Sequence, residues 1–353
     1  MSILTRSLAA VAATGLLVAG LTGCGSSSDA GSGSGGTASG SDASAQFPVT
    51  VKNIYGETTI DAKPERVATL SWVNADTALA LGTVPVAMPK IVWGNNANNS
   101  NDWTDAKLKE LGAEKGSDKA PTFYDEPSGD VNYDAIADSD PDVILAAYSG
   151  LTKEQYDKLS KIAPVVGPGS ANYGTSWQDS TTLIGEALGK EDEAKQVISE
   201  TDKAISDAAD KYPQLKDKTF IAGNFEADGG GINIYAEQDN RSRLLSALGM
   251  KLAPVVTKNQ KSDAFFFNWS PEKGDELDSD VFFTWFPEGQ TKASIEKDKL
   301  LGRIPAVKNG GLVGTSDNQL LFSVSSASPL SLQWGVDKIA ALLAKGVDAS
   351  EGK

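Results

Sequence analysis

Apolar residues along this chain follow two spacings. Short unbroken runs such as Val143-Ile144-Leu145-Ala146 and Val281-Phe282-Phe283 alternate with stretches in which Ala, Leu, Val and Ile return every three or four positions. The first pattern is that of strands covered on both faces of a parallel sheet, and the second that of amphipathic helices. Their alternation predicts an α/β architecture. The longest helical stretch runs over 190–212, where Ala194, Val197, Ile198, Ala204, Ile205 and Ala208 recur among Glu, Asp and Lys. Leu188-Gly189 precedes it and Pro213 stops it. About 23 residues at 1.5 Å each make a rod of roughly 35 Å, enough to cross a small domain. The expectation is two α/β lobes joined by this single long helix, with a ligand cleft between them.

A repeat on either side of the helix supports two lobes. Before it stands Asn132-Tyr133-Asp134-Ala135-Ile136, leading through Asp140-Pro141-Asp142 into the run from Val143. After it stands Ser270-Pro271-Glu272-Lys273-Gly274, leading through Asp278-Ser279-Asp280 into the run from Val281. In each copy a capping residue opens a short helix, an acid follows two positions later, and an Asp starts an apolar strand. The spacing places the lobes at 47–175 and 214–353, with connecting helices over 176–213. In the first lobe a hairpin turns at Tyr55-Gly56, a strand spans 67–71, and a helix ends at Gly82. The stretches 93–103 and 121–130 read as loops. In the second lobe a strand over 219–225 leads to Gly229-Gly230-Gly231, and a helix over 329–344 closes the chain.

The first residues follow neither pattern. Over 1–23, Arg6 precedes a run of Leu, Val, Ala and Gly that is short for a membrane span and reads as an export signal. It closes on Leu21-Thr22-Gly23-Cys24, which resembles the bacterial lipobox, and Cys24 is the only cysteine. Lipidation there would tether the protein to a membrane without spanning it. The Gly- and Ser-rich residues 24–46 read as a disordered tether. The G-x-G-x-x-G formed by Gly31, Gly33 and Gly36 follows no strand and opens no helix, so it is not a dinucleotide site.

Charge and composition narrow the function. The net charge of −15 and the lack of a basic stripe argue against nucleic acid as a partner. The chain has no histidine, which removes Ser-His-Asp and Cys-His catalysis and His-ligated zinc or haem. Asp138, Asp140 and Asp142 have calcium-loop spacing. Val143 and Ser149 stand where that loop needs Gly and Glu, so no protein metal site is expected.

Ligands of α/β sheets sit beyond the carboxyl ends of the strands. Those ends carry Trp72, Tyr148, Phe225 and Trp285, and nearby loops add Trp93, Tyr173, Trp177, Tyr235 and Trp269. A cleft walled by such rings suits a bulky ligand with both apolar and polar surface. Arg241 and Arg243 stand where forked donors would meet an anionic ligand, or form a solvated surface pair. Asp134 and Glu272, one per lobe, either compensate helix dipoles or form a symmetric docking surface for a partner with two basic pockets.

Several stretches together resemble the substrate-binding lipoproteins of bacterial ABC importers for ferric siderophores, haem and cobalamin. They are Lys63-Pro64-Glu65-Arg66-Val67, Ala78-Leu79-Ala80-Leu81-Gly82, Asp140-Pro141-Asp142-Val143-Ile144-Leu145-Ala146, Ile162-Ala163-Pro164-Val165-Val166, Leu277-Asp278-Ser279-Asp280-Val281 and Ile304-Pro305-Ala306-Val307-Lys308-Asn309-Gly310. Trp93-Gly94 and Thr175-Ser176-Trp177-Gln178 look most like the iron-siderophore branch. The resemblance implies a rigid interdomain helix with small lobe closure, and carboxylates at Asp134 and Glu272 that dock on the arginines of a permease dimer. At the first position the family usually carries Glu. The implied function is capture of a ferric siderophore for an ABC importer. The implied protein is a monomer anchored outside the cytoplasm by its lipid, with no catalysis and no cofactor, since the iron stays in its chelate. Cobalamin or haem as the cargo, a lipid-anchored carboxylate hydrolase and a surface adhesin are the alternatives.

Overall fold

The computed structural model describes residues 47–126, 130–226, 230–261 and 264–352. The export segment, Cys24, the tether and Gly229 lie outside these residues. The described chain begins with an antiparallel hairpin of β1 (Val49–Asn53) and β2 (Gly56–Ile60). The first lobe continues through β3 (Val67–Thr69), α1 (Asn74–Ala80), β4 (Ala87–Pro89), α2 (Asp102–Glu110), β5 (Thr122–Tyr124), α3 (Tyr133–Asp138), β6 (Val143–Leu145), α4 (Lys153–Leu159) and β7 (Val165–Val166). Its sheet is wholly parallel, in the order β5-β4-β3-β6-β7. Helices α5 (Trp177–Leu188) and α6 (Glu191–Lys211) follow.

The second lobe contains β8 (Thr219–Phe225), β9 (Ile232–Tyr235), α7 (Asn240–Ala247), β10 (Lys251–Leu252), α8 (Pro254–Asn259), β11 (Phe266–Trp269), β12 (Val281–Trp285), α9 (Lys292–Lys297), α10 (Pro305–Lys308), β13 (Leu312–Thr315), α11 (Asn318–Ser325) and α12 (Pro329–Ser350). Its sheet runs β11-β9-β8-β12-β13, with β10 also paired to β8. The β8, β12 and β13 strands are parallel, whereas β9 and β11 run antiparallel to their neighbours.

The repeat has a structural counterpart. In each lobe the strand it starts lies between the lobe's first parallel strand and an edge strand: β6 between β3 and β7, and β12 between β8 and β13. The Asp that starts each strand performs the same bond. Asp142 Oδ2 accepts the N–H groups of Glu65 at 2.7 Å and Arg66 at 3.0 Å, just before β3. Asp280 Oδ2 accepts the N–H and the hydroxyl of Thr219, both at 2.7 Å, at the start of β8. Each carboxylate thus satisfies backbone donors where the neighbouring strand enters the sheet.

Helix α6 serves two cores. Ala194 and Val197 pack into the first lobe beside Val67, Val143 and Ile184. Ile205 and Ala208, further along the same apolar stripe, pack into the second lobe beside Phe220, Phe283 and Leu332. Both patches lie on one rigid rod, so moving the lobes apart requires bending it or unpacking one end. Gly185 in α5 permits close passage of α6, since a Cβ there would stand 2.5 Å from the Cβ of Ala194. A second tie was not foreseen: α12, in the core of the second lobe, also packs on α1 and α2 of the first.

The structure differs from the sequence reading in short elements. The stretch 121–130 contains β5, a three-residue strand too short to show a period. Edge strand β11 and helix α11 were not anticipated. In the second repeat copy the expected α-helix is a 3-10 helix, Pro271–Glu276. There Gly274 is buried where a Cβ would meet Ile304 and the Leu300 carbonyl at 3.2 Å, so a tight turn replaces a full helix.

Candidate ligand cleft

The first-lobe wall is built from the ends of β3 and β6. Fully buried Asn74 donates to the carbonyls of Leu70 at 2.6 Å and Tyr148 at 3.0 Å, and its Oδ1 accepts the Tyr148 N–H at 3.0 Å. It clamps the two strand exits together. Ser71 then adopts a left-handed backbone with φ 58° and presents Trp72, which is 46% exposed. Tyr173 also has positive φ, at 60°. Its ring lies 5.6 Å from that of Tyr148 and rests on Gly150, where a Cβ would approach ring atom Cε2 to 2.5 Å. Non-glycine residues hold this conformation only where their surroundings impose it, and two of them line one cavity.

That cavity measures about 230 Å³ and is lined by Trp72, Tyr148, Tyr173, Val92, Leu151 and Glu126, among others. Both Glu126 oxygens lie 3.1 Å from the Ser71 nitrogen, whose N–H they share. Burial pushes the Glu126 carboxyl up to about 7, and that bond only partly opposes it. Lys90, on the same wall, is bound by both Asp125 oxygens at 2.9 Å.

The second-lobe wall is formed by the ends of β9 and β12. Tyr235, Arg241 and Trp285 line a shallow recess with Gly223, Phe283 and Leu321. The Arg241 guanidinium lies 3.4 Å from the centre of the Tyr235 ring. It donates twice to Asp239, at 2.7 and 2.6 Å, and the pair is buried. Burial works against the Arg241 charge, but Asp239 and then Tyr235 outweigh it and hold its pKa above the ordinary value. Arg243 donates Nη2–H to the Gly174 carbonyl at 2.8 Å, while its Nη1 is buried without a partner among the described residues. Burial lowers the Arg243 pKa. Arg243 also borders a groove of about 780 Å³ along α7 and α8, but that groove carries no aromatic ring.

Between the walls the rings meet. Trp93 contacts Trp285 edge-on at 5.6 Å, and Trp285 Nε1–H donates to Asn318 at 2.8 Å. Phe322 of α11 gathers Trp72, Trp93 and Trp103 at 5.8, 6.1 and 6.3 Å. Trp93 and Asn95 of the first lobe and Asp317 and Asn318 of the second border a mouth of about 460 Å³. Asn240 of α7 donates to the Tyr148 hydroxyl at 3.0 Å. Burial, and then Asp239, raise the Tyr148 pKa. Below the mouth, buried Asp76 of α1 accepts Trp103 Nε1–H and the Thr104 hydroxyl at 2.6 Å each, and the hydroxyl of Ser328, the cap of α12, at 3.0 Å. Burial pushes Asp76 up to about 6, with the Thr104, Trp103 and Ser328 hydrogen bonds opposing.

The structure thus brings Trp72, Trp93, Tyr148, Tyr235, Arg241 and Trp285 to one region, with Tyr173. It does not bring Trp177 or Trp269 there. Trp177 opens α5 and is 6% exposed, packed in the second-lobe core with Leu244 and Leu248. Trp269 packs on Phe267 against another cluster of that lobe and donates Nε1–H to the Lys273 carbonyl at 3.0 Å. Phe225, also at a strand end, stacks on Phe282 in the core. Asp134 and Glu272 are exposed on the first turns of the repeat helices, and neither forms an ion pair with a described residue. Asn74, Asp76, Glu126 and Phe322 were not found from the sequence. A buried acid such as Glu126, standing in Asp125-Glu126-Pro127, reads there like a solvated one.

Two lobes, one rigid connecting helix and a ring-lined space between strand ends define a solute-binding protein. The chain belongs to the periplasmic binding protein family, whose profile matches residues 67–318. A probable siderophore-binding lipoprotein of Bacillus subtilis, YfiY, is 30% identical over 273 residues, covering 74% of this chain and 78% of the relative. The Fe(3+)-citrate-binding protein YfmC of the same organism is 29% identical over 258 residues, covering 72% and 74%. Among solved structures, Streptococcus pneumoniae PiaA in complex with ferrichrome superposes with a TM-score of 0.79 at 36% identity, covering 85% of this chain and 99% of PiaA.

Proposed function

We propose that this protein is an extracytoplasmic receptor that captures a ferric siderophore in the cleft and delivers it to an ABC importer. The observation that carries this reading is the convergence of Trp72, Tyr148 and Tyr173 from one lobe on Trp285, Tyr235 and Arg241 from the other. Flat, rigid rings at low conformational cost suit a bulky chelate that already encloses its metal. The siderophore-binding relative and the ferrichrome-bound neighbour support the same cargo. In this reading the protein does no chemistry and needs no cofactor of its own. It works as a monomer held at the membrane by lipidated Cys24. Asp134 and Glu272, exposed at matching places in the two lobes, engage the two halves of the permease.

The test is tryptophan fluorescence of residues 47–353 titrated with ferric hydroxamates, ferric catecholates, ferric citrate, haem and cobalamin. Saturable quenching by a ferric siderophore is expected, and a response confined to haem or cobalamin would sink the reading. For docking, Asp134→Ala with Glu272→Ala should abolish uptake by cells while leaving the titration unchanged. Undiminished uptake removes the docking role.

A further inference from the structure

The charges facing the cleft point to a narrower cargo. Two arginines would favour an anion, but Arg241 is already paired with Asp239, and Arg243 lines the groove along α7 and α8 and not the ring-lined cavity. Arg241 is closed into a buried two-bond pair with Asp239 and stacked on Tyr235. Arg243 gives one arm to the Gly174 carbonyl and stands in the field of Asp179, Asp239 and Glu237. On the opposite wall Lys90 is held by Asp125. Glu126 and Asp130 line the same cavity with no cation bound to either among the described residues. The remainder of that lining is uncharged: aromatic and aliphatic residues with Ser71, Ser149, Gly150 and Gln155. Around it lies a chain of net charge −15, whose field repels anions before they arrive.

We propose that the cleft selects ferric complexes of zero or positive net charge, the trihydroxamate class, and rejects the polyanionic tricatecholates and citrate-type complexes. This rests on the siderophore reading above. Ferric iron bound by three singly charged hydroxamates is neutral, and a free amine on the chelator makes the complex a cation. Three doubly charged catecholates leave a trianion, and citrate-type chelates retain carboxylates. A trianion would meet Glu126 and Asp130 in a cavity lined by no guanidinium and only by the Asp125-bound Lys90 as a cation, and like charges brought together in a partly desolvated site are strongly disfavoured. Glu126 titrates near neutral pH, so its proton follows the charge it faces. A cationic complex draws the proton off and gains an ion pair. Its neighbours on that wall are Asp130, the Lys90–Asp125 pair, Tyr124 and Tyr173, none of which supplies a free positive charge.

The experiment is a calorimetric titration of residues 47–353 with ferrichrome (neutral), ferrioxamine B (cationic), ferric enterobactin (trianionic) and ferric citrate, at low and high salt. The two hydroxamates should bind at least about 100-fold more tightly than either anion, a gap that narrows as salt screens the repulsion. Glu126→Gln should weaken ferrioxamine B about 10-fold more than ferrichrome. Asp239→Asn, which keeps the cap on α7 while releasing Arg241, should tighten the anions about 10-fold. Ferric enterobactin or ferric citrate bound as tightly as the hydroxamates overturns this inference and leaves the receptor reading standing. Failure of all four complexes to bind overturns both.

Discussion

The two lobes share a frame and differ in what they hang on it. In both, the repeat strand is inserted beside the first parallel strand, and an Asp at its start secures the neighbour's backbone. The differences come after the strands end. The first lobe leaves β3 through left-handed Ser71, which exposes Trp72, and β6 through small residues, which let Tyr173 lie on Gly150. The second lobe adds antiparallel β9 and β11 to its sheet, and the turn from β9 into α7 packs Arg241 onto Tyr235 and Asp239. One wall therefore carries Glu126, with no cation bound to it among the described residues, and the other carries Arg241, already paired with Asp239. The frame sets where the cleft is, and the segments beyond it set the rings and charges that line it.

The largest effect is expected where one lobe's core depends on a residue outside its own sheet. Trp177 begins the connecting helices yet fills the second-lobe core. Trp177→Ala should cost about 3–5 kcal/mol of stability, read as the urea midpoint of the isolated protein. A loss below about 1 kcal/mol would return Trp177 to the list of ligand contacts.

Asp76 is next, because it joins the lobes through Ser328. Asp76→Ala leaves three buried donors without their acceptor and should cost roughly 3 kcal/mol. The same carboxyl makes stability depend on pH. Folding raises its pKa from 3.8 to about 6, so the folded chain holds the proton more tightly than the unfolded one. Its stabilising effect is complete below pH 3.8 and is lost as pH rises through about 6. Glu126, raised from 4.5 to about 7, extends the decline to neutral pH. Thermal melting at a series of pH values should show Asp76→Asn flattening the acidic part of this slope and Glu126→Gln the part near pH 7. A slope unchanged in both variants would show that neither group titrates where its burial places it.

The paired Asp residues differ in their access to water. Asp280 is half-buried and Asp142 exposed, so water can replace one far more easily than the other. Asp280→Ala should cost about 2 kcal/mol and Asp142→Ala less than about 1. Equal losses in chemical denaturation would mean that solvent does not distinguish the two copies. The smallest stability change is expected for Trp72→Ala, within about 0.5 kcal/mol for so exposed a ring. Its ferric-complex affinity should nevertheless fall about 10-fold or more, for loss of a stacking surface. Unaltered affinity would remove Trp72 from the site.

The two-lobe plan, the connecting helix to within a residue at each end, and the repeat that aligns the lobes were legible in the sequence. Those features are periodic, and periodicity is written locally: a helix must place apolar groups every three or four residues, and a doubly covered strand must be apolar throughout. The sequence also placed Trp72, Tyr148 and Trp285, because the ends of strands can be found once the strands are known. Folding in three dimensions is what assigns Trp177 and Trp269 to packing, gathers three tryptophans around Phe322, and buries the acids Asp76 and Glu126. A tryptophan, a phenylalanine or a carboxylate carries no local mark of its surroundings. Its role is fixed by neighbours distant in sequence, as Ser328 is from Asp76, and by the share of water that folding takes from it.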